Sequence, residues 1–215
     1  MSYLGIDIGT FESKGALVDE GGTILATARR PHRMQVPRPG WAEHDAEADW
    51  WGGLVAICGE LLAREPAGSV RALACSAIGP CLLPVDEVGA PLTNAVLYGV
   101  DVRATTEVEE LTATIGVERL LARTGNALTS QSVGPKILWL RRNRPEVWVR
   151  TARLHTSTSF LVERLTGEAV IDHYSAAGFG PLYDVERREW SAELADIMSL
   201  RMLPRLGWSA ETAGR

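Results

Sequence analysis

Three apolar runs separated by tight turns fill the first thirty-one residues, and that pattern limits the folds open to the chain. Leu4, Ile6 and Ile8 alternate up to Gly9-Thr10; "KGALVD" follows, then Glu20-Gly21-Gly22, then "TILATARR". Strict alternation reads as half-buried strand, and a Gly-Gly between two such runs reads as a hairpin. A meander of this kind has one face to cover, and the next segments supply the cover. The stretch "QVPRPGWAEHDAEADWW" holds two prolines before Gly40 and reads as a loop. Asp45 stands where it can N-cap a helix carrying Trp51, Leu54, Val55, Cys58, Leu61 and Leu62 on one face, with Pro66 and Gly68 to end it.

Beyond that helix the pattern mixes strands and helices. "VRALACSAI" and "CLLPVDEVGAPLTNAVLYG" predict three short strands around a Glu87-Val88-Gly89 turn. Helical spacing covers 102–114, 117–123, 133–142 and 145–150. A strand at "ARLHT" precedes a helix at 157–166 stopped by Gly167; "EAVID" is extended, and a further helix begins near Tyr174. Hairpin-linked strands followed by helix and strand units predict an α/β fold, a mixed sheet with flanking helices. The closing "WSAELADIMSLRMLPRLGWSAETAGR" reads as a Pro-containing helical stretch with no strand or cap after it, a boundary to something further on.

Bulk properties exclude several classes. A length of 215 residues suits one large domain or two small ones, and 46% hydrophobic with 23% charged residues is ordinary for a globular protein. A net charge of −5 argues against nucleic acid as a partner. The one dense basic run, Arg141-Arg142-Asn143-Arg144, ends a predicted helix, where cations suit the dipole. Cys58, Cys75 and Cys81 lack metal-type spacing and read as reduced core thiols. No apolar stretch approaches the roughly twenty residues of a membrane span, and the N-terminus lacks a signal-peptide pattern. The expected setting is cytoplasmic, away from the membrane.

Asp7 is the first chemical oddity. It sits one residue before its strand ends, between apolar neighbours, and burying a carboxylate there costs several kcal/mol unless a cation or donors meet it. Gly9 and Thr10 offer backbone N–H groups and a hydroxyl in a tight turn, the material of an anion nest. A phosphate and metal site and a plain turn-capping role are both open on these residues alone.

Five segments in order carry a resemblance: "GIDIGT", "RPGWAEHDAEADWW", "AVLYGVDVRA", "GPKILWLRRNRPEVW" and "RLTGEAVIDHYSAAG". Over essentially its whole length the chain resembles the N-terminal half of FGGY-family carbohydrate kinases, nearest to xylulose-kinase-like members. The resemblance implies the ribonuclease-H-like core shared with actin and the Hsp70 chaperones. It implies one sugar-binding domain over 1–215, with the nucleotide-binding domain absent from this chain. The implied partners are a sugar or polyol, ATP with Mg²⁺, and that missing domain; a homodimer stays open. Without its second domain the chain is expected not to turn over ATP efficiently.

Residue by residue, the resemblance implies that Asp7 holds Mg²⁺ through water, that Gly9 and Thr10 face the transferring phosphate, and that Lys14 offsets its charge. A solvated strand-start lysine is the plain alternative for Lys14. Phe11 and Glu12 depart from the small or hydroxylated residues usual in the family's turn, so either Glu12 points away or the phosphate site is altered. Asp172 falls where these kinases carry the base that accepts the sugar hydroxyl's proton; its plain alternative is the N-cap of the helix after it. Asp101 and Arg103 match a segment that binds sugar hydroxyls, while Trp41 and Glu43 frame the site; N-capping by Asp101 and loop packing by Trp41 are the alternatives. Ser76 and Ala77, followed by Ile78 and Gly79, replace the Gln-Met-His-Gly of true xylulose kinases. An unpaired substrate hydroxyl costs roughly 1–3 kcal/mol, so the expected acceptor is a related sugar or polyol rather than D-xylulose. Ile137, Leu138 and Leu140 read as core, Lys136 as core or cleft, and Ser159 stands where many relatives have aspartate. The rival from another class is a non-catalytic sugar-binding or regulatory module, favoured by Phe11, Glu12 and the lost Gln-Met-His; an actin-like ATPase of another kind is a third.

Overall fold

The computed structural model describes residues 1–65, 68–194 and 200–215. They fall into two compact units, Met1–Met34 with His44–Ile78, and Gln35–Glu43 with Gly79–Arg215.

In the first unit, β1 (Ser2–Ile8), β2 (Glu12–Asp19) and β3 (Ile24–Pro31) form the expected antiparallel meander. The two-residue strand β4 (Glu43–His44) straddles the division between units. A π-helical turn, Ala46–Trp51, leads into α1 (Gly52–Leu62), and β5 (Val70–Ala77) then runs parallel to β1. The strand order is β3-β2-β1-β5. Asp45 caps the helical segment as expected, accepting from the amides of Glu47 (3.0 Å) and Ala48 (2.9 Å). The helix ends at Leu62 with Ala63 as its C-cap, before the expected stop; Pro66 lies outside the described residues. Alternation sends Leu4, Ile6, Ile8 and Leu17 into the core with Leu54, Ile57 and Leu61 of α1. Gly15 lets that helix approach: a Cβ there would sit 2.2 Å from Ile57 Cγ2.

The second unit holds β6 (Leu83–Val85) and β7 (Ala95–Val96), then α2 (Thr105–Ile115), α3 (Val117–Thr124), α4 (Val133–Asn143) and α5 (Pro145–Trp148). β8 (Arg153–His155) pairs antiparallel with β6 and leads into α6 (Ser157–Thr166), which Gly167 ends in a left-handed conformation (φ 78°). β9 (Val170–Asp172) is followed by α7 (His173–Ala177), a β10–β11 hairpin (Tyr183–Asp184, Glu189–Trp190) and β12 (Arg205–Gly207). Its core joins Leu82, Val133, Ile137, Leu140, Leu154, Ile171, Phe179 and Leu203. Leu138 is half-buried, packing instead beside Leu111, Leu120 and Leu128.

Two expectations change. The closing stretch does contain a strand: β12 pairs in parallel with β9, setting Gly207 opposite Asp172. The expected helix there falls largely on residues 195–199, outside the described residues; Leu200–Met202 is a 3₁₀ turn. Of the three cysteines only Cys81 is fully in the core, since Cys58 and Cys75 keep part of their surface.

Candidate functional site

Asp7 is exposed, on the side of β1 opposite Ile6 and Ile8. Desolvation in a buried strand therefore does not apply: alternation turns the carboxylate out while its neighbours turn in. Its register partners are Lys14 on β2 and Ser76 on β5, so these three side chains share one sheet face. Ser76 is exposed and Ala77 half-buried.

The turn after β1 differs from an open anion nest. The Gly9 amide donates to the Glu12 carbonyl at 2.9 Å, so that N–H is occupied within the turn. Thr10 is half-buried and Phe11 points outward. Glu12 does not turn away; it pairs with Arg29 (3.1 Å) and stands 3.8 Å from Lys14. Lys14 keeps about half its surface, at 49%, so its charge is solvated and shared with a carboxylate.

In the second unit Asp172 closes β9 and caps α7. Oδ1 accepts from the Ser175 amide (3.0 Å) and Oδ2 from the Ser175 hydroxyl (2.6 Å). The carboxylate is half-buried, so its remaining lone pairs keep access to an incoming group. His173 Nδ1 lies 2.7 Å from the Tyr183 hydroxyl and its ring 4.4 Å from that of Trp208, as befits a packed helix-start side chain.

The residues expected to meet sugar hydroxyls do come together in the second unit, but Asp101 is not free. It is fully buried, and its oxygens accept from the Ala42 amide (2.7 Å), the Arg103 amide (3.1 Å) and the Arg103 guanidinium (2.7–3.0 Å). A carboxylate so occupied anchors Arg103 rather than receiving a substrate hydroxyl; nor does it cap a helix, since the residue before α2 is Ala104. Arg103 is 4% exposed, reaches Glu43 at 2.8 Å and stacks 3.8 Å from the Trp41 ring. Trp41 in turn meets Trp139 edge-on at 5.3 Å, so its ring is packed as well. Glu43 holds both Arg103 and, at 3.2 Å, the Asn94 amide. A cleft of about 240 Å³ beside this group is lined by Glu43, Asn94, Arg103, Trp139 and Arg144. Asn94 and Trp139 escaped the sequence reading because their neighbours, Val96 and Ile137, carry the core signal.

Lys136 is buried beneath a small pocket that it lines with Asp101 and Ser130. Its ammonium donates to the carbonyls of Leu97 (2.9 Å) and Ser130. Burial pushes its pKa down to about 8, against the attraction of Asp101 and Cys81. Ser159 is buried in the capping box of α6, bonded to the Thr156 amide and 3.0 Å from His155 Nδ1.

Residues 2–215 match the FGGY family of carbohydrate kinases, N-terminal domain. The chain belongs to this family. A xylulose kinase of Lactococcus lactis is 32% identical over the whole chain and 43% of its own length, and glycerol kinase 2 of Streptomyces avermitilis is 31% identical over 97% of the chain and 43% of that protein. The crystal structure of a xylulose kinase from Rhodospirillum rubrum, 32% identical, superposes on 96% of the chain and 43% of its own with a TM-score of 0.89. The FGGY chain thus spans less than half the length of these relatives, and its mixed α/β fold is the ribonuclease-H-like one of the sugar kinases.

Proposed function

We propose that this chain forms the acceptor-binding half of an ATP-dependent kinase acting on a sugar or polyol hydroxyl, in a cytoplasmic setting. The observation that carries the reading is the family match across residues 2–215, supported by the half-open carboxylate at the end of β9. Asp172 is the base: it accepts the hydroxyl proton as the oxygen attacks the γ-phosphoryl group, while Ser175 holds it in place. Thr10 and Lys14 face the transferred phosphate, with Gly9 shaping the turn. Among the described residues no group of three or more His, Cys, Asp or Glu side chains can hold a metal. An exposed single carboxylate at Asp7 instead fits a nucleotide-borne Mg²⁺ reached through water. Bound there, the ion would supply charge neutralisation for the triphosphate. Substrate hydroxyls meet Glu43 and Arg103, with Trp41 behind them; Ser76 and Ala77, on β5 of the first unit, are further substrate contacts, and Asp101 acts by fixing Arg103.

One observation favours a non-catalytic sugar-binding module instead: Glu12 already shares the charge of Lys14. Turnover decides between them. In a complete kinase carrying this chain, Asp172→Asn is expected to lower kcat by about 10²–10⁴-fold with little change in sugar affinity, measured over a panel of pentuloses, hexuloses and polyols. Unchanged kcat in the variant excludes Asp172 as the base, and sugar binding without phosphorylation by the unaltered protein favours the module.

A further inference from the structure

The sheet of the first unit has two faces, and α1 covers one of them. On the other, the strand register sets side chains directly opposite one another in rows. The row nearest the Gly9–Thr10 turn is polar, with Asp7, Lys14 and Ser76. The next row is Ala74, Gly5, Ala16 and Thr27; the one after it is Ala72, Tyr3, Val18 and, past a register shift, Ile24. These two rows stay open. Gly5, Thr27, Ala72 and Ala74 are exposed, Tyr3 keeps 40% of its surface and Ile24 62%. A Cβ built on Gly5 would meet only the Ala16 carbonyl, at 4.0 Å. Apart from Thr27 and the Tyr3 hydroxyl, the two rows offer water no polar side chain. A sheet face meant for solvent is polar at alternate positions, whereas parallel pairs such as β1–β5 belong to sheets that helices cover on both faces.

We propose that the apolar part of this sheet face is the seat of a helix from the second half of the complete kinase. The inference rests on the reading of this chain as the acceptor-binding half, and three observations choose the occupant. The relatives that the chain matches run to more than twice its length, so a complete kinase holds a second half large enough to supply the cover. The open rows adjoin the polar row that the proposed function turns towards the nucleotide, which places them beside the half that carries it. Glycine and alanine along the middle row let a helix backbone come close, and Tyr3, Val18 and Ile24 stand next to it as an apolar wall, so the helix meets the sheet with an apolar stripe. A second copy of this chain would bring the same flat row of small residues, with nothing to fill the space between.

The test places one thiol in the middle of the face. Gly5→Cys is made both in the 215-residue chain and in the complete kinase, with Glu20→Cys in the turn between β2 and β3 as the reference. Maleimide labelling is then followed residue by residue by mass spectrometry. In the 215-residue chain the Gly5→Cys thiol is expected to react within about threefold of the reference, and in the complete kinase about 100-fold more slowly, as a packed position does. Equal rates in the two proteins overturn the proposal. Slow labelling in the 215-residue chain also overturns it: if dilution restores the rate, a second copy covers the face, and if it does not, the chain covers the face itself. Should Gly5→Cys fail to fold, Thr27→Cys in the same row takes its place. The readout is separate from phosphoryl transfer. A complete kinase that turns over sugar with this position still reactive sinks the inference and leaves the function standing; one that protects it without turnover does the reverse.

Discussion

Arg103 is held by two carboxylates and an indole face while almost none of it meets water. Removing one member of such a group leaves a buried charge without its partner, which is costlier than never having built the group. Arg103→Met is therefore expected to destabilise the second unit by about 3–5 kcal/mol in urea unfolding, and Arg103→Lys by less, because an ammonium keeps the charge and loses the fork and the stacking. Lys136 makes a pH prediction. Its folded-state pKa is lowered to about 8, below its ordinary value of 10.5, so unfolding takes up a proton between those two values. Stability is expected to rise with pH across that window, and Lys136→Met should flatten the rise in melts run from pH 7 to pH 10. At this scale the sequence was legible for the cap at Asp172 but not for the state of Asp101. Which hydrogen bonds a carboxylate has already accepted depends on Ala42, fifty-nine positions away, and no local pattern carries that information.

Elements were read better than contacts, because their ends are marked locally. Gly167 after α6, Asp45 before the helical turn and Gly21-Gly22 between β2 and β3 each do a job that few other residues can. The misses share a cause as well. β12 is three residues long, follows a proline and is held by pairing to β9 rather than by its own propensity, so it left no alternating signature. The contact of α1 with β2 makes a sharper prediction. Gly15→Ala would place a methyl 2.2 Å from Ile57 Cγ2, and such overpacking is expected to cost about 1–3 kcal/mol in a thermal melt. Adding Ile57→Ala to that variant should recover part of the loss, which separates crowding from any change in strand propensity.

For the molecule as a whole, composition was informative mainly by exclusion. The net charge of −5 opposes a nucleic-acid role, and among the described residues no helix is long and apolar enough to cross a membrane. The two units each carry cysteines, and burial raises all three thiols, Cys75 to about 11 and Cys81 to about 12. A thiol reagent at pH 7.5 is expected to label Cys58 and Cys75 slowly in the folded chain and Cys81 only as the second unit unfolds, read by mass spectrometry along a urea series. Rapid labelling of Cys81 in the absence of urea would mean that this core opens far more readily than its packing implies.

The pairing of β12 with β9 bears on how the chain can be shortened. The strand that ends in Asp172 has its neighbour some thirty-five positions downstream, through Gly207. Trimming the C-terminus before that point would strip the proposed base of the backbone ladder beside it while sparing every residue at the site itself, so a fragment chosen from motifs alone could be inert for a reason absent from its active-site chemistry.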